Sequence, residues 1–246
     1  MSRVLYLDSG APTSVTSGSG AMGSWTAVWT PPVALEGFFV SMAMNPSGTN
    51  QVGLFDVGFG ATPVSILNNG KDVFNNVNMN YLSYPISIPA GVPISIAAQE
   101  TAGTAGGLFA HIIGVPKGAG IFPACSTAQM LYPSGGSNNF GPISSTSPGT
   151  LYGTTLNMPT KMIELFGEFN SSAGSSSSVC NLALTAGPSS TSQSDIISNY
   201  LLSLNNATTA CFRQDWRVEI PPSQDIYLFL LNSTNVVPTG GLRVFY

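Results

Sequence analysis

The feature that most constrains this chain is a side-chain alternation of period two, in short runs that glycine and proline keep interrupting. Arg217-Val-Glu-Ile220 alternates polar and apolar, as does Ile86-Ser-Ile88, and the pattern resumes at Ile94-Ser-Ile96 after the turn Pro89-Ala-Gly-Val-Pro93. Successive side chains of a strand point to opposite faces, so such runs bury one face and leave the other outward. Ile226-Tyr-Leu-Phe-Leu-Leu231 is apolar throughout, as befits a strand covered on both sides, and Leu108 to Ile113 and Leu242 to Tyr246 read as closing strands. The 27 glycines and 18 prolines among 246 residues punctuate the chain too often for long helices. Asp195-Ile-Ile-Ser-Asn-Tyr-Leu-Leu202 is the best short-helix segment, with Ser194 or Asp195 as its N-cap. The Ser/Gly/Asn/Thr tracts from Ser9 to Ser24, Ser134 to Thr150 and Asn170 to Ser178 read as loops. Many short strands with regular turn signals specify an all-β sandwich or barrel and exclude a parallel α/β fold.

The chain also repeats itself. Leu5-Tyr-Leu-Asp-Ser-Gly10 returns loosely as Leu131-Tyr-Pro-Ser-Gly-Gly136, an offset of 126. Pro31, Glu36, Phe38 and Leu54 fall on Pro159, Glu164, Phe166 and Leu182 at 128. Tyr84 to Pro89 and Ile94 fall on Trp216 to Pro221 and Ile226 at 132, and Gly106-Gly-Leu108 on Gly240-Gly-Leu242 at 134. The offset only grows along the chain, as expected of a tandem duplication whose loops absorb insertions. The expected architecture is two tandem antiparallel β-sandwich domains, jelly-roll-like and arising from duplication, at residues 1–118 and 119–246. Val4 to Leu7 would form an N-terminal arm that either completes a neighbour's sheet or pairs at home.

Charge narrows the function classes. Seven Lys and Arg and eleven Asp and Glu make up 7% of the chain, against roughly 25% in an ordinary domain. The cations are scattered, and the closest pair, Arg213 and Arg217, has Asp215 between them, so the clustered charge that neutralises phosphates is missing. No nucleic-acid partner is expected. No apolar run approaches the ~18–20 residues that span a bilayer, so no membrane partner is expected either. The short apolar stretch after Met1 does not make a signal-peptide core. Cys125, Cys180 and Cys211 lack metal-site spacing and are expected as reduced thiols, with a Cys180–Cys211 pair left open. Asn170-Ser-Ser, Asn206-Ala-Thr and Asn232-Ser-Thr match glycosylation acceptors by composition alone.

A search for chemistry yields little. His111, the only histidine, lies inside an apolar strand and reads as structural, with no Gly-x-Ser-x-Gly elbow beside it. Glu164 and Glu168 share strand parity; a solvated strand face explains them better than a pair for glycoside chemistry. Gly135-Gly-Ser-Asn-Asn-Phe-Gly141 lacks the lysine and the helix of a phosphate loop. Trp25 and Trp29 share parity too, and with Trp216 they read as core or interface before sugar platform. The expectation is therefore no enzyme, with no catalytic, cofactor-binding or metal-binding residues.

A free chain so poor in charge risks self-association, and permanent assembly is the escape. Interface cores are poor in charge and rich in aromatics and methionine, and this chain has 13 Phe, 8 Tyr and 8 Met. With its paired Ile-Pro-x-x-x-x-Ile turns (Ile88-Pro89 to Ile94, Ile220-Pro221 to Ile226), it resembles virion structural proteins of tailed bacteriophages, most of all head decoration (cement) proteins with jelly-roll-like folds. The resemblance implies a homo-oligomer, often a trimer, clamped over the major capsid protein of the virion after synthesis in the host cytoplasm. A tail or baseplate adhesin that binds host glycans, through Trp25, Trp29 or Tyr132, is the second reading. A hydrolase or carbohydrate-binding enzyme module using Glu164 or Glu168 is the third.

Overall fold

The computed structural model describes residues 6–19, 21–46, 52–66, 72–75, 82–100, 105–131, 141–143, 150–170, 177–205, 209–234 and 239–246. The chain divides into two units, Met1–Ala128 and Gln129–Tyr246. In the first lie β1 (Leu7–Asp8), β2 (Thr13–Val15), β3 (Ser17–Ser19), β4 (Thr26–Trp29), β5 (Leu35–Pro46), β6 (Val52–Phe59), β7 (Val64–Ser65), β8 (Asp72–Asn75), β9 (Leu82–Tyr84), β10 (Ile94–Glu100) and β11 (Ala105–Pro116). The second is built from β12 (Ala128–Leu131), β13 (Gly141–Pro142), β14 (Thr150–Thr154), β15 (Thr160–Asn170), β16 (Ser177–Ser189), β17 (Ser192–Asn205), β18 (Thr209–Ile220), β19 (Asp225–Thr234) and β20 (Thr239–Phe245). Among the described residues there is no helix, and each unit is a sandwich of two sheets.

The two sandwiches repeat one strand order. In the first, one sheet runs β1-β11-β5-β9 with β2 also on β11, and the other runs β3-β10-β6-β7 with β4 on β10 and β8 on β6. In the second, the sheets run β12-β20-β15-β18, with β13 on β20, and β14-β19-β16-β17. The long ladders are antiparallel, and the short β3 joins β10 in parallel. Alternation fills each interior: Phe38, Val40 and Met42 of β5 and Ala110 and Ile112 of β11 are buried, as are Phe55 and Val57 of β6 and Ile94 and Ile96 of β10. The second core gathers Ile163, Leu165, Leu182, Leu184, Leu228, Leu230, Leu242 and Val244.

Three sequence expectations change here. Asp195 to Leu202 is no helix but part of β17, paired with β16. The tract from Ser9 to Ser24 is not a single loop, since β2 and β3 lie within it. The match of Phe38 to Phe166 also shifts. Phe38 pairs with Tyr84 as Ile163 pairs with Trp216, so Ile163 stands in the place of Phe38. Phe166 is three residues further on, and an odd shift moves a side chain to the opposite face of its strand. The matches of Ile88 with Ile220 and Ile94 with Ile226 keep their face, and all four side chains are buried. The N-terminal arm pairs at home: Leu7 and Asp8 lie against Gly114 and Ile113, while Val4 and Leu5 lie outside the described residues.

Candidate functional site

The outward face of the β11–β5 sheet is where the first unit departs from an ordinary solvated surface. Because Phe38, Val40, Ala110 and Ile112 point inward, Phe39, Phe109, His111 and Ile113 point out. Tyr6, two residues before Asp8, joins them and is 49% exposed, and Phe109 is 38% exposed. The rings of Tyr6 and Phe39 lie 6.4 Å apart, and those of Phe39 and Phe122 lie 5.0 Å apart and tilted. A shallow groove of about 370 Å3 runs between Tyr6, Leu7, Phe39 and Ile113, with Asp8 at its margin.

Phe122 reaches this face through a loop built around one carboxylate. Glu36 accepts hydrogen bonds from the backbone N–H groups of Gly118 and Gly120, each at 3.0 Å, of Ile121 at 2.6 Å and of Phe122 at 3.1 Å. Gly118 and Gly120 have φ of 87° and 75°, a left-handed backbone that glycine enters freely and that turns successive amides toward one anion. Burial raises the Glu36 carboxyl and the four amides lower it; the amides win, so it sits below the ordinary carboxylate range. Gly37 completes the seat. A Cβ there would collide with the Phe122 ring, so only glycine lets the ring pack on the strand.

The residues singled out by sequence fall elsewhere. His111 lies on the aromatic face opposite Ser41. Trp25 and Trp29 do not form one platform: Trp25 packs over Gly58 of β6, and Trp29 over Gly114 of β11. The register shift between Ile94 and Ser95, opposite β4, breaks the parity that would have aligned them. Trp216 packs against the second core, edge-on to Tyr200 at 5.3 Å. Tyr132 and residues 135–140 of the Gly135–Gly141 loop lie outside the described residues.

Glu164 is not on a solvated strand face. It is fully buried, bound by Arg243 Nη1 through both carboxylate oxygens at 3.1 Å and by Arg213 Nη2 at 2.8 Å. Arg243 is fully buried as well, and its guanidinium stands 5.1 Å from the centroid of Phe166. The Arg-Glu-Arg group lies on the face opposite Ile163 and Leu165. A carboxylate clamped between two guanidinium groups accepts bonds and is badly placed to deliver a proton. The side chain of Glu168 lies outside the described residues. Cys125 and Cys180 are buried free thiols, so Cys180 forms no disulfide, and burial pushes its thiol up to about 12. Among the described residues no cluster of three His, Cys, Asp or Glu is placed to hold a metal ion.

Glu36 entered the sequence reading only as a repeat match, and Phe122 did not enter it. The signal was present in Lys117-Gly-Ala-Gly120, two glycines spaced for a backbone nest.

No family model and no curated protein matches the chain. Among solved structures, the chain is similar to the tandem CBM22 domains at the N-terminus of Xyn10C from Paenibacillus barcinonensis. That similarity is at 9% identity and a TM-score of 0.30, over 98% of this chain and 93% of that one. It is also similar to a chain of the IBDV viral particle, at 12% identity and a TM-score of 0.25, over 87% of this chain and 56% of that one. Vicilin from Solanum melongena follows at 7% identity and a TM-score of 0.17, over 89% and 73% of the two chains. The assignment as two antiparallel sandwiches rests on the strand pairing itself.

Proposed function

We propose that the chain is a non-enzymatic virion structural protein, a head decoration protein of a tailed bacteriophage. In this reading it acts as a homo-oligomer, a trimer, clamped on the major capsid protein. One observation supports it above the others: the outward face of the β11–β5 sheet carries the adjoining rings of Tyr6, Phe39 and Phe122, with the exposed Phe109 further along β11, on a chain with only 7% charged residues. Soluble monomers seldom leave aromatic rings contiguous on a surface, and such patches mark contact sites. The mechanism is mechanical. A standard interface buries about 1,600 Å2; with roughly half of that apolar, ~25 cal/mol per Å2 gives about 20 kcal/mol gross. That exceeds the roughly 4–15 kcal/mol that association costs, and a footprint over several shell subunits adds avidity.

The test has two arms. Native mass measurement should return a discrete homo-oligomer, and negative-stain images should place it on the head shell. Tyr6→Asp combined with Phe109→Asp should leave fold and oligomer intact and abolish co-sedimentation with emptied heads. A monodisperse monomer, or shell binding indifferent to both substitutions, overturns the reading.

A further inference from the structure

The second unit carries a groove of different character on the outward face of its β19–β16 sheet. Leu182, Leu184, Leu228 and Leu230 point into the core, so Ala183, Thr185, Phe229 and Leu231 point out, with Ala183 opposite Phe229. The third strand, β17, departs from simple alternation. Leu182 opposes Tyr200, Leu184 opposes Ile197 and Thr185 opposes Asp195, so β17 holds extra residues between successive pairs. Bulges of this kind twist a strand, re-aim its side chains, and recur beside binding sites. Here they set Gln193, Asp195 and Ser198 along the outward face, and a groove of about 420 Å3 opens among these residues, the 189–192 turn and Phe229. That volume is in the range of small-molecule sites.

The groove's polar groups are held in place before any ligand arrives. Thr185 Oγ1 donates to Gln193 Oε1, and Gln193 Nε2 donates to the Ser190 carbonyl at 2.9 Å, so the amide is pinned at both ends. Ser198 Oγ donates to Asp195 Oδ2 at 3.1 Å, which orients a carboxylate on an exposed residue of the groove. Beneath them lie the half-buried ring of Phe229 and the side chain of Leu231, which is 50% exposed. None of the lining residues is a cation, so an anionic ligand would meet only Asp195 and be repelled.

We propose that this groove binds a neutral saccharide. A pyranose has the matching duality: hydroxyls that donate to a fixed carboxylate and bond a fixed amide, and a C–H face that lies on Phe229 and Leu231. Pre-ordered polar groups spare a ligand the cost of ordering them, yet a groove open on one side gives weak affinity per site. Presentation in many copies converts weak binding to tight. The site belongs to the second unit alone, and it holds whether or not the chain decorates a capsid.

The experiment is a nuclear magnetic resonance titration of the intact protein with cellotriose, maltotriose, mannotriose and N-acetylchitotriose, with sialyllactose as the charged control. At least one neutral trisaccharide should shift the amides of Thr185, Gln193, Asp195 and Phe229, and sialyllactose should not. Asp195→Asn and Ser198→Ala, both at exposed positions, should weaken that binding roughly tenfold or more with unchanged melting temperature. Phe229→Ala should do the same, read together with its melting curve. No shift with any neutral probe at about 10 mM, a concentration that would reveal even millimolar affinity, overturns the proposal. So does binding that survives Asp195→Asn, or shifts that map away from this face. Native mass separates this result from the decoration reading, because the oligomer should be indifferent to all three substitutions.

Discussion

The two sandwiches share a strand order and differ in how each holds its best-anchored carboxylate. Glu36 and Glu164 share the sequence offset of the Phe38 and Phe166 match, which the strand pairing does not keep, so they are not structural counterparts. Glu36 is half-buried near the start of β5 and is satisfied by four backbone amides of a glycine loop. Glu164 is fully buried in mid-strand and is satisfied by two guanidinium groups. The first arrangement costs little, because the amides are polar wherever they sit and solvent reaches the carboxylate. The second removes three charges from water, a debt that only close geometry offsets. The two units thus share a strand order but not a way of satisfying a carboxylate, and the first unit uses its carboxylate to fix a surface ring.

The sharpest way to break this contrast is to remove Glu164. Glu164→Ala leaves Arg243 fully buried and Arg213 nearly so, without the anion that both contact. Removing one member of a buried ion pair costs about 3–5 kcal/mol, visible as a lower midpoint in denaturant. Replacing all three residues together by apolar side chains of similar volume should recover most of that loss, because the desolvation cost disappears with the charges. If Glu164→Ala alone is neutral, the group is not buried in solution and the contrast with Glu36 collapses.

A second substitution tests whether the first sandwich is packed as tightly around Trp29. A Cβ on Gly114 would lie 2.6 Å from the Trp29 ring and 2.9 Å from Leu35 Cδ1. Leu35 is fully buried and cannot yield easily. Gly114→Ala should cost about 1–3 kcal/mol, as overpacking does, with hydrogen exchange rising in β5 and β11 and unchanged in β15 and β20. Equal loosening of both units would show that their stabilities are not separate.

Much of the fold was legible from alternation alone. Ile94-Ser-Ile96 and Arg217-Val-Glu-Ile220 read directly as strands, because one inward and one outward side chain per two residues leaves a plain signature. The signature failed where bulges add a residue. In β17, Asp195-Ile-Ile-Ser-Asn-Tyr-Leu-Leu202 places apolar residues at spacings that suit a helix, since the shifts opposite Leu184 and Thr185 reset the parity twice. The same cause misaligned Trp25 with Trp29 and, through an odd offset, Phe38 with Phe166. The candidate sites were less legible than the fold. Glu164 looked solvated because its two partners lie 49 and 79 residues away in sequence. The aromatic face draws on Tyr6, Phe39, Phe109 and Phe122, distant in sequence and brought to one face by strand pairing and by the loop around Glu36.

The smallest expected effect is also the one with a pH signature. Glu36→Gln keeps the shape and one acceptor oxygen but loses the charge that four amides address. Hydrogen bonds to a charged group are worth more than neutral ones, and solvent screening at this half-buried position reduces the difference to about 1 kcal/mol at pH 7. The folded carboxyl lies below its ordinary value of 4.5, so its contribution is fully present above that value and is lost as pH falls through the lower, folded one. The wild-type and Glu36→Gln stabilities should therefore differ by a constant amount at neutral pH and converge as pH falls from 4.5 through the lower, folded value. The substitution should also loosen Phe122 from Phe39, read as greater mobility of the Phe122 ring at neutral pH and no difference in acid. A gap that never closes, however far the pH is lowered while the protein stays folded, would mean the amides address the shape of Glu36 rather than its charge. The two carboxylates would then differ only in depth.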